Sequence, residues 1–186
     1  MDTAEGDYIR LPQQICTEID EQNHQQFQND AIDFTFGDIN SHSAQPQWIE
    51  FVASRAILAT TNAYVDELNK LCLDRLPGDD IVLASADSTV NQDDATHYPV
   101  EYINTLQTAG MPPHQLTLKK DAVVMLLRNL NISGGLCNGT RLIVRDIIND
   151  RLIKATIANG EGRGRTVLIP KIQTQPADHN QFGFEW

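Results

Sequence analysis

The first clear pattern of apolar and polar positions lies in the middle of the chain. Arg55–Thr60 (RAILAT) is a short apolar run followed by turn-forming residues, which predicts a buried strand. The next residues repeat apolar side chains at helical spacing, with Thr61 or Asn62 as N-cap and Pro77-Gly78 as the stop. The apolar stripe of this predicted helix contains Val65, Leu68, Cys72 and Leu76. DIVLASA then predicts another strand, and strand, helix and strand in this order indicate a parallel α/β unit.

The pattern is weaker before this unit and changes character after it. Residues 1–47 are rich in Gln, Asn and Ser, which predicts loops around a short helix at Asp30–Phe36. Tyr98–Gly110 is predicted as a second helix, closed by Gly110 and two prolines. Beyond it come the β-rich runs QLTLKKDAVVMLLRNL, TRLIVRDII, RLIKATIA and RTVLIPK, separated by Gly, Asn and Asp turns. Their size and spacing predict a small SH3-like or OB-like barrel.

The second of these runs alternates strictly, as a strand does. The alternation predicts one face made of Arg141, Ile143, Arg145 and Ile147, and an opposite face made of Leu142, Val144 and Asp146.

Composition narrows the class of protein. The apolar runs are far too short to cross a bilayer, and the polar, acidic N-terminus carries no readable signal peptide. The three cysteines lie far apart, which argues against a disulfide framework or zinc site and indicates reduced thiols in an intracellular protein. The five histidines show no metal-binding spacing, and no nucleophile motif is present.

Charge is divided unevenly between the two parts of the chain. The net charge is −11, which taken whole argues against nucleic-acid binding. Residues 1–114 hold four Lys or Arg against nineteen Asp or Glu, whereas residues 115–186 hold ten against six. The basic part begins where the helical period ends, so it is expected either to meet an anionic partner or to present a solvated basic face.

SGGLCNGTRL (Ser133–Leu142) raises the question of a nucleotide site. Gly134 and Gly139 have the spacing of a phosphate-binding loop. Thr140, however, stands at the lysine position, and a strand pattern follows where such a loop opens a helix. A β-connection is therefore preferred, in which Gly139 allows the positive φ of a tight turn.

Two other features suit a phosphate backbone. Thr60, Thr61 and Asn62 precede a predicted helix, where side-chain donors and free amides grip phosphate; simple N-capping is the alternative. Arg128, Arg141 and Arg145 lie on the β-rich runs, and residues 115–181 contain no aromatic side chain. A nucleic acid held there would be gripped by its backbone rather than by base stacking.

Several blocks resemble one family. RAILATTNAYVDELNKL…LPG, SADS, YPVEYINTL…AGMPPHQLTLK and VMLLRNLN…GGLCNGTRLIV are similar to the second motor half of PIF-type (petite integration frequency) ATP-dependent DNA helicases, including those of Helitron-like transposons. The resemblance implies an α/β fold: part of a RecA-like domain of the P-loop NTPase type, without Walker A, carrying an inserted SH3-like β-barrel called 2B. It divides the chain into an inter-domain segment (1–47), a partial RecA-like domain 2A (48–114), the 2B domain (115–172) and a return segment (173–186).

Departures from the family bear on activity. The family's Walker A loop, Asp-Glu magnesium site and Gly-Asp-x-x-Gln sensor have no counterpart in these residues, and its QGQT block and arginine finger are expected after Trp186. ATP and Mg²⁺ are the cofactors of the whole family, and this chain alone is expected to bind neither and to be inactive as an ATPase or helicase. Relatives commonly have Gly where this chain has Asp121, which weakens but permits a left-handed turn.

The resemblance also implies partners and a place in the cell. The expected partners are single-stranded DNA and the first RecA-like domain, with no membrane, in the nucleus or mitochondria, in DNA repair, recombination and telomere maintenance. The candidate DNA-binding residues are Thr60, Thr61, Asn62, His114, Arg128, Asn129, Asn138 and Arg141. The alternative function is a non-catalytic SH3-like protein-interaction module, whose cations form ion pairs with protein.

Overall fold

The computed structural model of the chain describes residues 23–43, 45, 47–85, 88–89, 113–172 and 184–185. Within these residues the fold is mixed, with helices first and antiparallel strands after them. The helices are α1 (His24–Phe36), α2 (Ile39–Ser43), α3 (Trp48–Ala53) and α4 (Asn62–Asp74). The strands are β1 (Ile81–Ala84), β2 (Ser88–Thr89), β3 (Gln115–Leu118), β4 (Val123–Met125), β5 (Arg141–Ile148), β6 (Leu152–Ile157), β7 (Thr166–Pro170) and β8 (Phe184–Glu185).

The strands form three antiparallel sheets. The largest has the order β4-β5-β6-β7, and two smaller ones pair β1 with β3 and β2 with β8. β1 runs antiparallel to β3, with Ile81 opposite Leu118. The prediction of a parallel α/β unit is therefore wrong for the described residues, because the strand after α4 finds its partner in the β-rich part instead.

The buried strand predicted at Arg55–Thr60 is also wrong. These residues are irregular, and Leu58 is 92% exposed. A strand must satisfy its backbone groups on a neighbouring strand, and none of the strands in the described residues pairs with this segment. Ile57 still packs against the core, and Arg55 contacts α3, where its guanidinium lies over the Phe51 ring.

Helix α4 confirms the helix prediction. It begins at Asn62 after the N-cap Thr61 and ends one residue before Arg75. Leu68 and Cys72 pack against the core and Leu76 is buried in it, as the stripe predicted. Val65 lies outside the core and is 38% exposed. Burial raises the pKa of the Cys72 thiol, while nearby Arg75 acts in the opposite direction.

The other element predictions fare differently. The short helix at Asp30–Phe36 is confirmed and extends back to His24 as α1. The β-rich runs are confirmed as strands β3 to β7. The helix predicted at Tyr98–Gly110 lies outside the described residues.

Strand β5 is buried on both faces in its first half. Leu142 is fully buried against the inner face of the large sheet, with Ala155 and Ile157. Ile143, on the opposite face, is fully buried among Ile32, Trp48 and Val52 of the helices. One face of β5 thus belongs to the sheet core and the other to the helical core.

A β-bulge between Val144 and Asp146 corrects the predicted alternation. Before it Ile143 pairs with Thr156, and after it Asp146 pairs with Lys154, so these two β5 residues share a face. Because a bulge inserts one residue, every later side chain changes sides. Ile147 therefore faces the same side as Leu142, rather than that of Arg141.

Asp121 ties the helices to the sheet. Its φ of 65° lies in the left-handed region, in keeping with the turn predicted there. Its carboxylate pairs with Arg145, and its backbone carbonyl accepts a hydrogen bond from Trp48 Nε1 at 3.1 Å. Its own amide donates to the Val144 carbonyl at 2.7 Å. The carboxylate thus gives this residue a contact that a glycine in the same turn lacks.

We expect Asp121→Asn to lower the free energy of unfolding by about 1–2 kcal/mol, since Asn tolerates the left-handed turn but leaves the half-buried Arg145 without a charged partner. Urea denaturation of the full chain measures the change. Asp66→Asn is the matched control, because Asp66 is exposed on α4, and its effect should stay within about 0.5 kcal/mol. Equal effects of the two substitutions would contradict the role given to the Asp121–Arg145 pair.

Candidate nucleic-acid interface

The glycine loop is closed by its own hydrogen bonds. Each backbone N–H from Gly134 to Arg141 donates to an acceptor within the chain. The acceptors are backbone carbonyls of Leu126, Asn131, Ile132 and Cys137 and side-chain oxygens of Asn129, Asn131, Thr140 and Asn159. A phosphate-binding loop instead aims its amides outward at the ligand.

Side chains fix this closed shape. The Thr140 hydroxyl is buried, donates to the Gly135 carbonyl at 3.0 Å and accepts from the Cys137 amide at 3.0 Å. Arg165 donates to the Gly134 carbonyl at 2.6 Å from the turn before β7. Gly139 adopts a φ of 83°, as the predicted tight turn requires. The loop is the predicted β-connection, and β5 begins at Arg141 directly after it.

Two of the predicted DNA-binding residues meet at this loop. The backbone N–H of Asn138 donates to Asn129 Oδ1 at 2.8 Å, and both residues are exposed. Arg128 precedes Asn129 and is half-buried. The loop therefore presents a cation and two amide side chains within one small region, which we call the amide loop (Arg128, Asn129 and Asn138).

Exposed aliphatic side chains lie on β4 and in the residues that follow it, and their exposure was not predicted from the sequence. Alternate residues of β4 and its extension point to one face, while Val124 and Leu126 pack in the sheet core. The exposed residues are Val123, Met125, Leu127, Leu130 and Ile132, of which Ile132 is 69% exposed. The sequence does not distinguish these exposed positions from the buried ones between them, because the distinction depends on how the chain pairs in the sheet.

The side chain of Arg141 donates hydrogen bonds to backbone carbonyls at the C-terminal end of α3. Its Nη1 donates to the carbonyls of Val52 and Arg55, each at 2.9 Å, and its Nη2 donates to the Ala53 carbonyl. Val52 and Ala53 are the last two residues of α3 and Arg55 follows shortly after it, so the guanidinium binds carbonyls at the C-terminal end of the helix, where intrahelical partners run out. The role predicted for Arg141, contact with a DNA phosphate, stays a prediction, and a phosphate would have to compete with three carbonyl acceptors.

Thr60, Thr61 and Asn62 lie at the start of α4 and are exposed. Thr61 is extended and its hydroxyl accepts from the Tyr64 amide at 3.4 Å, so N-capping, the alternative interpretation, is observed. Capping leaves the first amides of the helix directed outward, as they are in every α-helix. N-capping by Thr61 and phosphate binding at this turn are therefore compatible with each other.

His114 lies at the edge of the β1–β3 sheet. Its Nδ1 and the Ser85 hydroxyl are 2.8 Å apart, and its carbonyl accepts from the Ser85 amide at 2.8 Å. The residue is half-buried. Its ring is thus positioned by the end of β1.

Most cations of the basic part contact this chain itself. Lys119 is 8% exposed and donates to the Leu76 carbonyl, and Lys171 donates to that of Ala84. Arg141, Arg145, Arg163 and Arg165 are engaged as well. Within residues 115–172, the exposed cations without such a contact are Lys120, Arg151 and Lys154. Much of the charge asymmetry is thus explained by internal contacts.

No group of three or more His, Cys, Asp or Glu side chains in the described part of the chain is arranged to hold a metal ion. None of the helices found there is long and apolar enough to span a membrane.

Comparison with known families identifies one segment. Residues 101–147 match the family model of the DNA helicase Pif1, 2B domain. The predicted relationship to PIF-type helicases is confirmed by this match, which contains β3, β4, the amide loop and most of β5. No protein with curated annotation matches the chain.

Solved structures with some likeness include two of Pif1 helicases. One, from Candida albicans, is 21% identical with a TM-score of 0.47, over 90% of this chain and 43% of that one. The other, from work on DNA unwinding at forked double-stranded DNA by two coordinating Pif1 helicases, is 18% identical with a TM-score of 0.44, over 82% and 32%. Both TM-scores are low, so the assignment depends on the 2B-domain match. The chain spans less than half the length of either structure.

We expect Thr140→Val to lower the free energy of unfolding by about 1–3 kcal/mol, because the Cys137 amide and the Gly135 carbonyl lose their partner. Thr140→Ser is the matched control, since it keeps the hydroxyl and removes only a methyl group. Thermal or urea denaturation compares the two variants. A loss in Thr140→Ser as large as that in Thr140→Val would contradict the particular role given to the hydroxyl.

Proposed function

We propose that the chain is a section of a PIF-type ATP-dependent DNA helicase motor and contributes grip on the backbone of single-stranded DNA. The observation that carries this proposal is the match of residues 101–147 to the Pif1 2B domain. The mixed fold, with an antiparallel β part joined to helices, supports the same assignment.

Under this proposal the parts of the chain take the roles of the family. Residues 48–114 belong to a RecA-like domain 2A, and residues 115–172 form the inserted SH3-like 2B domain. Residues 1–47 and 173–186 connect this part of the motor to its remainder. The four-stranded sheet β4-β5-β6-β7 lies wholly within 115–172, which supports a separate β unit there, while β3 pairs with β1 across the proposed boundary.

The proposed contacts with DNA are directed to phosphates. The amide loop offers one guanidinium and two amide side chains, all suited to phosphate oxygens. Thr60, Thr61 and Asn62 offer hydroxyl and amide donors at the start of α4. His114 completes this set, and Arg141, which the sequence also suggested, has its guanidinium engaged by carbonyls at the end of α3. No aromatic residue occurs in 115–181, so base stacking has no platform there.

ATP hydrolysis is assigned to the rest of the motor. The glycine pair with phosphate-loop spacing has its amides engaged internally, so it offers no cradle for a nucleotide. We therefore propose that ATP and Mg²⁺ act on a site completed by the first RecA-like domain, and that this chain alone neither hydrolyses ATP nor unwinds DNA. Action on DNA in the nucleus or mitochondria follows from the same family relationship.

The rival function is a protein-interaction module of the SH3-like type. The exposed aliphatic residues of β4 and its extension favour it, with Met125 at 55% and Ile132 at 69% exposure. A protein partner seated there predicts binding that is indifferent to single-stranded DNA.

We expect the full chain to bind an oligothymidylate with an affinity that falls as salt rises, because phosphate contacts release counterions. Arg128→Ala should weaken binding and reduce the salt slope by about 0.7, the value for one lost contact to a single strand. Fluorescence anisotropy at several salt concentrations measures both quantities.

Arg151→Ala is the matched control, because it removes the same charge from an exposed turn between β5 and β6. It should change the affinity much less than Arg128→Ala does. Absence of binding by the folded chain at low salt would refute the proposed function and favour the protein-interaction module.

A further inference from the structure

Arg141 has the geometry of a residue that holds protein rather than DNA. Its three acceptors are backbone carbonyls of Val52, Ala53 and Arg55, at the end of α3. Its own backbone is fixed as well: its amide donates to Asn159 Oδ1 at 2.8 Å and its carbonyl accepts from the Ala158 amide at 2.8 Å. A side chain so placed joins the first residue of β5 to a helix end nearly ninety positions earlier in the chain.

We propose that Arg141 is a positioning residue, which holds the segment after α3 and thereby sets the Thr60–Asn62 turn relative to the amide loop. The segment from Arg55 to Thr60 forms no strand, and Leu58 is 92% exposed. The start of the segment is held by Arg141 on the Arg55 carbonyl and by Arg55 itself, whose guanidinium donates to the Phe51 carbonyl at 3.2 Å and lies over the Phe51 ring. Further along, Ile57 packs on the core. The turn therefore depends on few contacts for its position.

The chemistry at this point requires arginine in particular. A planar guanidinium donates several N–H groups in fixed directions, and here two of its nitrogens reach three carbonyls. A lysine ammonium at the same place is a compact charge without that fork. Its charge would still favour the C-terminal end of α3, but it would not hold the three carbonyls together.

Neighbouring contacts show that α3 is seated on the β part as a unit. Trp48, at the start of α3, donates from Nε1 to the Asp121 carbonyl. Glu50 Oε1 lies 3.6 Å from Nη2 of Arg163, which is in the turn before β7. Val52 packs with Ile143 in the helical core. Arg141 is the contact at the far end of α3, where the helix passes into the segment that leads to Thr60. Its loss should free that segment while α3 stays docked.

This inference rests on the proposed function, because it assigns Arg141 to the same single-stranded DNA site. It differs from the sequence-based prediction that Arg141 touches a phosphate itself. The two roles separate in the salt dependence of binding: a lost phosphate contact reduces the slope, whereas a displaced turn lowers the affinity without removing a charge contact from the DNA.

The test compares the full chain with Arg141→Ala, Arg141→Lys and the control Arg151→Ala. Hydrogen exchange of residues 54–62 is measured without DNA, and oligothymidylate binding is measured as a function of salt. We expect both Arg141 variants to speed exchange about tenfold at the amides of Ser54 and Arg55, which donate to the Val52 carbonyl, while α4 and β6 stay protected. We expect both to weaken binding about fivefold, with the wild-type salt slope.

The other possible outcomes test the positioning role of Arg141 and the proposed function separately. Unchanged exchange at residues 54–62 in Arg141→Ala overturns the positioning role. Recovery of wild-type affinity by Arg141→Lys, together with a slope lower by about 0.7 in Arg141→Ala, overturns it in favour of direct phosphate contact. If the wild-type chain binds no oligothymidylate, the proposed function fails, and the exchange measurement still decides whether Arg141 holds the segment.

Discussion

The burial of strand β5 on both faces is the constraint on which the rest of the structure depends. Leu142 completes the core of the four-stranded sheet, and Ile143 completes the core shared with the helices. Full burial of one such side chain stabilises a fold by about 1.5–3 kcal/mol, so each face of β5 secures one of the two cores. The bulge after Val144 lets the strand contribute to both cores and then places Ile147 on the same side as Leu142.

Several cations of the β-rich part, two of them on β5, make contacts within the chain. Arg141 holds the end of α3, Arg145 pairs with Asp121, and Lys119 reaches the carbonyl of Leu76 beyond α4. These three cations of the β-rich part thus contact backbone carbonyls of the helical part and the carboxylate of Asp121. A surplus of positive charge in one stretch of sequence can serve such internal contacts as readily as it serves an anionic partner.

The sequence-based predictions succeeded where local chemistry decides the structure. Helix α4 was readable from its cap, its stripe and its Pro-Gly stop, and the strands after residue 114 from period two and their turns. They failed where a partner distant in the chain decides. Nothing in RAILAT shows that β1 pairs with β3 instead of a parallel neighbour, and a bulge leaves no mark in an alternating run.

The candidate site divides in the same way. The β-connection in SGGLCNGTRL could be predicted from the missing lysine and the strand that follows. Asn129 and Asn138 could be named as candidates from the family resemblance, their chemistry and their position, but the hydrogen bond between them could not. The acceptors of Arg141 could not be predicted, because they are backbone carbonyls 86 to 89 residues upstream, and any residue type supplies a carbonyl. Contacts of this kind are visible only in the folded chain.

Native-state hydrogen exchange of the unmodified full chain, followed through increasing denaturant, tests the shared core most directly. If Ile143 and Arg141 join the helices to the sheet, the amides of α3 and of β5 should open with the same free energy, in one cooperative step. If α3 opens at a clearly lower free energy while β5 remains protected, the helices and the sheet are separate units, and β5 does not bind them into one core.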